Sequence, residues 1–252
     1  MDLQESALAN QLTQQGFRHP WERARFRFFD RVLRRGWKNG DRVLDVGAGD
    51  GWFAEQLLLN HWVVSRVVCW DSGYSDASFA VKEGARLERT ASQPTEKFEK
   101  ILLLDVLEHV DGDAAFLKGI VEQNLAPRGE VLISVPAWQP LFSAHDRFLR
   151  HFRRYSFEQL RVLVRSADLE VVASGGLFHS LLLPRALSVV RERLFRRTGP
   201  EVGLASWNHG PLVTGLIGFA LAIDNLFSFL FSRWGWQVPG LSGWVRCRKR
   251  GE

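Results

Sequence analysis

Between Val43 and Gly51 the chain reads Val-Leu-Asp-Val-Gly-Ala-Gly-Asp-Gly, with glycines at 47, 49 and 51 behind a short apolar run. Glycine allows positive φ and brings backbone close to a ligand, because no Cβ intervenes. Asp45 stands two residues ahead of the first glycine, so a strand ending here delivers a carboxylate to the loop. A carboxylate at that point repels a polyphosphate and suits a ligand with a cationic amino-acid end. It thereby differs from the G-x-G-x-x-G loop, which closes around a pyrophosphate.

Two further acids follow apolar runs. Asp71 comes after Val63 to Trp70, where a carboxylate can accept both hydroxyls of a ribose, and Asp105 comes after Ile101-Leu-Leu-Leu104. In open α/β sheets a ligand sits outside the carboxyl ends of the strands, so Asp45, Asp71 and Asp105 are expected to converge on one crevice. Asp105 opens the run Asp-Val-Leu-Glu-His109. Its Glu108 and His109 offer metal-ligand chemistry, but no metal is assigned, and Glu108 is expected to cap a helix start.

The segment Ser134 to Asp146 follows another apolar run and should overhang the same crevice. His145 is the expected general base, oriented by Asp146; the alternative is that both tie the loop to Arg150 or Arg153. Within Arg147 to Tyr155 the arginines suit an anionic ligand, and Tyr155 either hydrogen-bonds into the site or braces the loop.

The elements that must position these residues alternate. Helix is expected within residues 1 to 37, then strand, glycine loop and helix, with strands at 63–70, 82–90, 101–104, 129–135 and 169–173. Helices are expected at 110–123 and 157–167, the latter capped by Ser156. Strands alternating with helices predict a parallel sheet buried on both faces. Residues 177 to 236 break the pattern: they are helical, rich in Leu and Phe, and carry Arg191, Arg193, Arg196 and Arg197. A last strand over 240–249 would make them an insertion before it. The expected organisation is one domain over 1–252: a helical lid (1–40), a ligand-binding core (41–175), a hydrophobic cap (177–236) and the final strand.

Pro211 to Phe231 is long enough to span a bilayer, but Asp224 offsets much of its apolar gain, and the last strand must return to the sheet. Two expectations remain: helices that bury one another over an acceptor pocket, or a surface resting on a membrane with arginines on anionic headgroups. The composition is globular, with 46% hydrophobic and 24% charged residues, and excludes disorder and repeat architectures. A net charge of +5, two cysteines (Cys69 and Cys247) without metal-ligand spacing and no leader-like N-terminus predict a basic, cytoplasmic chain, at most peripheral at the inner face of a membrane.

These elements, in this order and spacing, resemble the class I S-adenosylmethionine-dependent methyltransferases, in the broad type 11 and type 23 group with D-V-G-x-G-x-G, a second-strand acid and D-V-L-E-H. The resemblance covers roughly residues 19 to 175 and the final strand. It implies a Rossmann-like sheet, mostly parallel with an antiparallel last strand, helices on both faces, and S-adenosylmethionine as cofactor with S-adenosylhomocysteine as product. It further implies that Gly47, Ala48 and Gly49 hold the methionine end and Asp71 the ribose. Asp105, Val106 and Leu107 would line the sulfonium region, and Ser92, beside Ala91 and Gln93, the adenine edge. His19-Pro-Trp-Glu-Arg23 is similar to a segment that closes over the cofactor. Asp105, Glu108 and His109 are similar to a metal-binding arrangement in ubiquinone-pathway O-methyltransferases, although most relatives use none. The expected acceptor is a small or lipid-linked molecule, methylated on oxygen. The alternatives are an RNA methyltransferase, which the high pI suggests, or a non-catalytic cofactor-binding or membrane-associated module.

Overall fold

The computed structural model describes residues 18–75, 86–195, 209–232, 234 and 236–251. Seven strands form one sheet: β1 (Asp41–Val46), β2 (Val64–Trp70), β3 (Leu87–Thr90), β4 (Phe98–Leu104), β5 (Leu125–Pro136), β6 (Leu169–Leu177) and β7 (Ser242–Lys249). Their order is β3-β2-β1-β4-β5-β7-β6. β1 to β5 pair in parallel, and β7 runs antiparallel between β5 and β6. The antiparallel last strand agrees with the sequence expectation.

Helices α1 (Pro20–Leu33), α2 (Trp52–Asn60), α3 (Asp113–Asn124), α4 (Ala144–Phe148), α5 (Phe157–Ser166), α6 (Leu182–Phe195) and α7 (Pro211–Ser232) complete the described elements. Side chains alternate across a strand, and here both directions are buried. Ile101 and Leu103 of β4 meet Leu117 and Ile120 of α3 and Leu160 and Val164 of α5. Leu102 and Leu104 face Phe28 and Phe29 of α1, Leu57 of α2 and Leu221 of α7. This two-sided cover is why the central strands are continuous apolar runs.

Local signals behave as their chemistry dictates. Ser156 caps α5 through a capping box with Gln159. Pro20 occupies the first turn of α1, where no amide donor is needed. Several boundaries differ from expectation. β5 begins at Leu125 and keeps Pro136, which pairs with Ser242. α3 starts only at Asp113, because Leu107–His109 form a 3-10 turn first. β6 runs on to Leu177, since β7 continues beside it. The expected structure at 1–17, 82–85 and 196–208, with Arg196 and Arg197, lies outside the described residues.

α7 packs on α1 and β6, whereas α6 packs on the 3-10 turns around Gln139–Leu141 and His179–Leu181. The expectation that these helices bury one another is corrected, because their apolar faces point outward among the described residues.

Candidate cofactor and acceptor site

The glycine loop joins β1 to α2 with φ of +64° at Gly47, +58° at Gly49 and +80° at Gly51. At Gly47 a Cβ would also lie 2.7 Å from Val106 Cγ2, so the loop packs directly on the residue after β4. Asp71 is held to this loop: its Oδ2 accepts from Gly49 N at 2.9 Å, and its Oδ1 from Gly73 N at 2.9 Å.

Asp45 is buried, and its Oδ2 has no hydrogen-bond partner. Burial lifts its carboxyl from the ordinary 3.8 to about 7, against the lowering charge of Arg25. The cleft it lines also includes Gly47, Ala48, Asp50, Trp52, Phe53 and Leu104, with Glu22 and Arg25 contributed by α1. An unpartnered buried carboxylate beside a glycine cradle is what a ligand with an ammonium group requires. The residues therefore fit the methionine end of S-adenosylmethionine.

α1 and the residues just before it lie over the cleft through two ion pairs, Arg18 with Asp50 and, from α1 itself, Arg25 with Asp105. Arg25 also lies over the Trp21 ring at 4.5 Å, and Trp21 stacks on Phe178 at 5.3 Å. The sequence pointed to His19–Arg23, which holds Trp21 and Glu22, but missed Arg25. The partner of Arg25, Asp105, lies far along the chain, and helical periodicity carries no such signal.

Asp105, at φ +60°, accepts from Ser134 Oγ at 3.0 Å. Burial would raise its carboxyl, but Arg25 and Ser134 hold it below the usual carboxylate range. The remaining expected cofactor residues separate. Val106 packs against Gly47, whereas Leu107 is buried in the core under β4 and β5. Ser92 is exposed in a turn, with its amide on Thr90 Oγ1.

The loop after β5 is organised around Asp146, whose side chain is wholly buried. Its Oδ2 accepts from Ser143 N (3.0 Å) and Arg185 (3.1 Å); its Oδ1 accepts from Arg154 Nε (2.7 Å) and faces His151 Nδ1 (3.1 Å). Burial works to raise this carboxyl, and the His151 hydrogen bond and Arg154 charge overcome it, leaving it well below the ordinary range. Asp146 thus orients His151 rather than His145. Its tethers are Arg154 and Arg185, in place of the expected Arg150 or Arg153, and Arg153 pairs instead with Asp111 and Asp113.

His145 sits in the first turn of α4, its backbone N bonded to Ser143 Oγ at 3.2 Å. Burial and then the Arg185 charge lower its pKa to about 4, so the imidazole is neutral near pH 7 and a weaker base than an ordinary histidine. Tyr155 is buried, with its hydroxyl 2.7 Å from Asp113 Oδ2 and 3.0 Å from the Leu107 carbonyl, both acceptors. That geometry braces the turn after β4 against α3.

Glu108 does not cap a helix, contrary to expectation. It is 1% exposed, both carboxylate oxygens lack a hydrogen-bond partner, and burial followed by the Asp105 charge pushes its carboxyl well above the ordinary value. One of its oxygens lies within 4.8 Å of a ring nitrogen of His109 and of His151, and among the described residues this group could hold a cation.

A sheet of this order, with a glycine loop after β1 and acids where β1, β2 and β4 end, defines the class I methyltransferase architecture. Residues 17–174 match the family model described as a methyltransferase domain, and the chain belongs to that family. A comparison with curated proteins finds no match. Solved structures share the fold at low identity. The protein partnering the Trm112 methyltransferase activator in Haloferax volcanii is 14% identical over 98% of this chain and 96% of its own, with a TM-score of 0.56. The methyltransferase domain of bacterial CtHen1 is 15% identical over 91% and 99%, with a TM-score of 0.53. The [4+2]-cyclase SpnF is 18% identical over 89% and 80%, with a TM-score of 0.51. The chain is an S-adenosylmethionine-dependent methyltransferase.

Proposed function

We propose that this methyltransferase acts on a hydroxyl of a small or lipid-linked acceptor. The observation that supports it is the position of His145, on the loop that follows β5 at the carboxyl edge of the sheet. When bound, S-adenosylmethionine supplies a methyl group activated by its sulfonium.

The chain's own contribution is positional and acid–base. Asp45 receives the ammonium of the methionine end, Gly47, Ala48 and Gly49 keep the loop backbone against it, and Asp71 addresses the ribose. Asp105, Val106 and Leu107 form the turn below the reacting centre, with Ser92 at the adenine side. Arg25 ties α1 across Asp105 and excludes water. His145 accepts the acceptor's hydroxyl proton. Asp146 and Tyr155 act as positioning residues, the first fixing the His145 loop and the second fixing the Leu107 carbonyl. Proton removal and orientation together are the help a hydroxyl acceptor needs. No metal is invoked.

The test is transfer of labelled methyl from S-adenosylmethionine into a lysate of the source cells, followed by phase partition. Label in the organic phase supports a lipid-linked acceptor, and label in nuclease-resistant aqueous molecules a small one. Label in nuclease-sensitive polymer would replace this reading with an RNA methyltransferase, and no label at all would favour a non-catalytic module.

A further inference from the structure

Helix α7 is built with its polarity reversed. The residues it buries are Thr214, Gly218, Leu221, Asn225 and Ser228, a four-three-four-three spacing that forms one stripe along the helix. Only Leu221 is a large hydrophobe. The polar members serve the protein side: Asn225 Oδ1 accepts from Phe178 N at 2.9 Å, and Ser228 Oγ faces Trp244 Nε1 at 3.3 Å. Asp224 turns to Ser180 N at 3.1 Å, so its carboxylate also serves the protein.

The opposite face is apolar and open. Leu212 is 82% exposed, Leu216 68% and Phe219 64%, with Phe227 and Leu230 about half exposed. A helix on an aqueous surface turns its apolar stripe inward, because burying that area is the main source of its stability. α7 does the reverse over 22 residues. α6 continues the pattern, with Leu183, Leu187 and Leu194 exposed and Arg191 and Arg193 exposed on the same helix. Trp234 and Trp236, just past α7, are also exposed.

We propose that the outward faces of α6 and α7 dock the protein on an anionic lipid bilayer, with both helices in the interfacial plane and neither crossing it. Charge decides the occupant: Arg191 and Arg193 flank the exposed leucines of α6, Arg193 while donating to the Pro140 carbonyl, the chain has a net charge of +5, and exposed tryptophans adjoin α7, a composition that suits headgroups above acyl chains. Attachment decides the orientation. α7 is long enough to cross by length and composition. Its inward stripe, however, is held from Gly218 beside Pro20 to Ser228 beside Trp244. Crossing would strip Phe178 N and Trp244 Nε1 of their partners.

The surface is one helix away from the chemistry. α1 meets α7 through Arg31, which lies 5.6 Å from the Phe229 ring, and its Glu22 and Arg25 line the cofactor cleft. The docking proposal stands independently of the acceptor assignment.

The test uses the full chain and preformed vesicles of phosphatidylcholine, with or without about 30% phosphatidylglycerol. Flotation with the anionic vesicles, reduced at ~0.5 M NaCl, is the expected result. The variant Phe219→Glu/Phe227→Glu should weaken flotation by on the order of tenfold or more. Both side chains are exposed, so its circular dichroism and cofactor affinity should match the parent. Loss of cofactor binding would instead mark a failed fold, and Leu216→Glu then serves as the second variant. Equal flotation of wild type and both variants overturns the proposal. A self-associating chain that ignores vesicles overturns it in favour of a second copy. Cysteines placed by Gly210→Cys and Trp236→Cys should both react with an impermeant maleimide outside the vesicle, while Cys69 and Cys247 are buried. Labelling of one alone by the same maleimide trapped inside the vesicles would establish a crossing helix and overturn the in-plane orientation.

Discussion

The unpartnered carboxylate of Asp45 makes cofactor affinity depend on pH in a way that can be calculated. In the free protein its carboxyl titrates at about 7, because burial disfavours the charged form. Pairing with the cofactor's ammonium requires that charged form, so binding releases a proton wherever Asp45 starts protonated. At about pH 5 roughly one free molecule in a hundred has Asp45 ionised, and apparent affinity should be about 100-fold below its plateau. That is ~2.7 kcal/mol, with a tenfold gain per pH unit up to about 7 and little change above it. The assay is calorimetry from about pH 5 to 8 in two buffers of different ionisation heat, which counts the released proton directly. Glu22 lines the same cleft, and burial raises its carboxyl too, so the controlling comparison is Asp45→Asn. That variant should lose affinity at about pH 8 and flatten the profile. It should also melt higher than wild type without cofactor at that pH. A raised carboxyl pKa destabilises the folded state increasingly between the unfolded value and about 7, here by up to ~4 kcal/mol, and an unpaired amide returns part of that cost. A flat wild-type profile, or an Asp45→Asn profile of unchanged slope, would refute the ammonium assignment.

Replacing His145 by Ala should lower turnover by about 10²- to 10⁴-fold while leaving cofactor affinity near wild type, and wild-type turnover should fall as pH approaches about 4. Initial rates across pH decide this, and an unchanged rate removes His145 from the reaction. Asp146→Ala leaves Arg154, Arg185 and His151 without their shared carboxylate and should cost roughly 3–5 kcal/mol in urea unfolding. Because the folded Asp146 carboxyl lies below its ordinary 3.8, its stabilisation is present above about pH 4 and lost as pH falls further; the variant should therefore lose the wild type's acid sensitivity there. Gly47→Ala combines positive φ with a Cβ 2.7 Å from Val106, so thermal melting should show a loss of at least ~1–2 kcal/mol and calorimetry a weakened cofactor.

The cofactor half of the site was legible in the chain because its parts are local. Glycines 47, 49 and 51 need positive φ within one loop, and Asp45, Asp71 and Asp105 stand where apolar runs end, so strand order alone brings them to one edge of the sheet. Ser156 announced α5 for the same reason: a cap and its amide are three residues apart. What the sequence withheld depends on partners that are distant along the chain. Arg25 looks like any arginine on an amphipathic helix until the fold sets it against Asp105, and Asp146 looked like the partner of its neighbour His145. Successive side chains on α4 diverge, so Asp146 meets His151, Arg154 and Arg185 instead. Glu108 read as a cap until packing closed over it and left its oxygens unpaired. Composition marked α7 as apolar but could not say which way its Thr, Asn and Ser residues point. Hydropathy sums over a helix without direction, and only the contacts with α1, β6 and β7 fix its rotation.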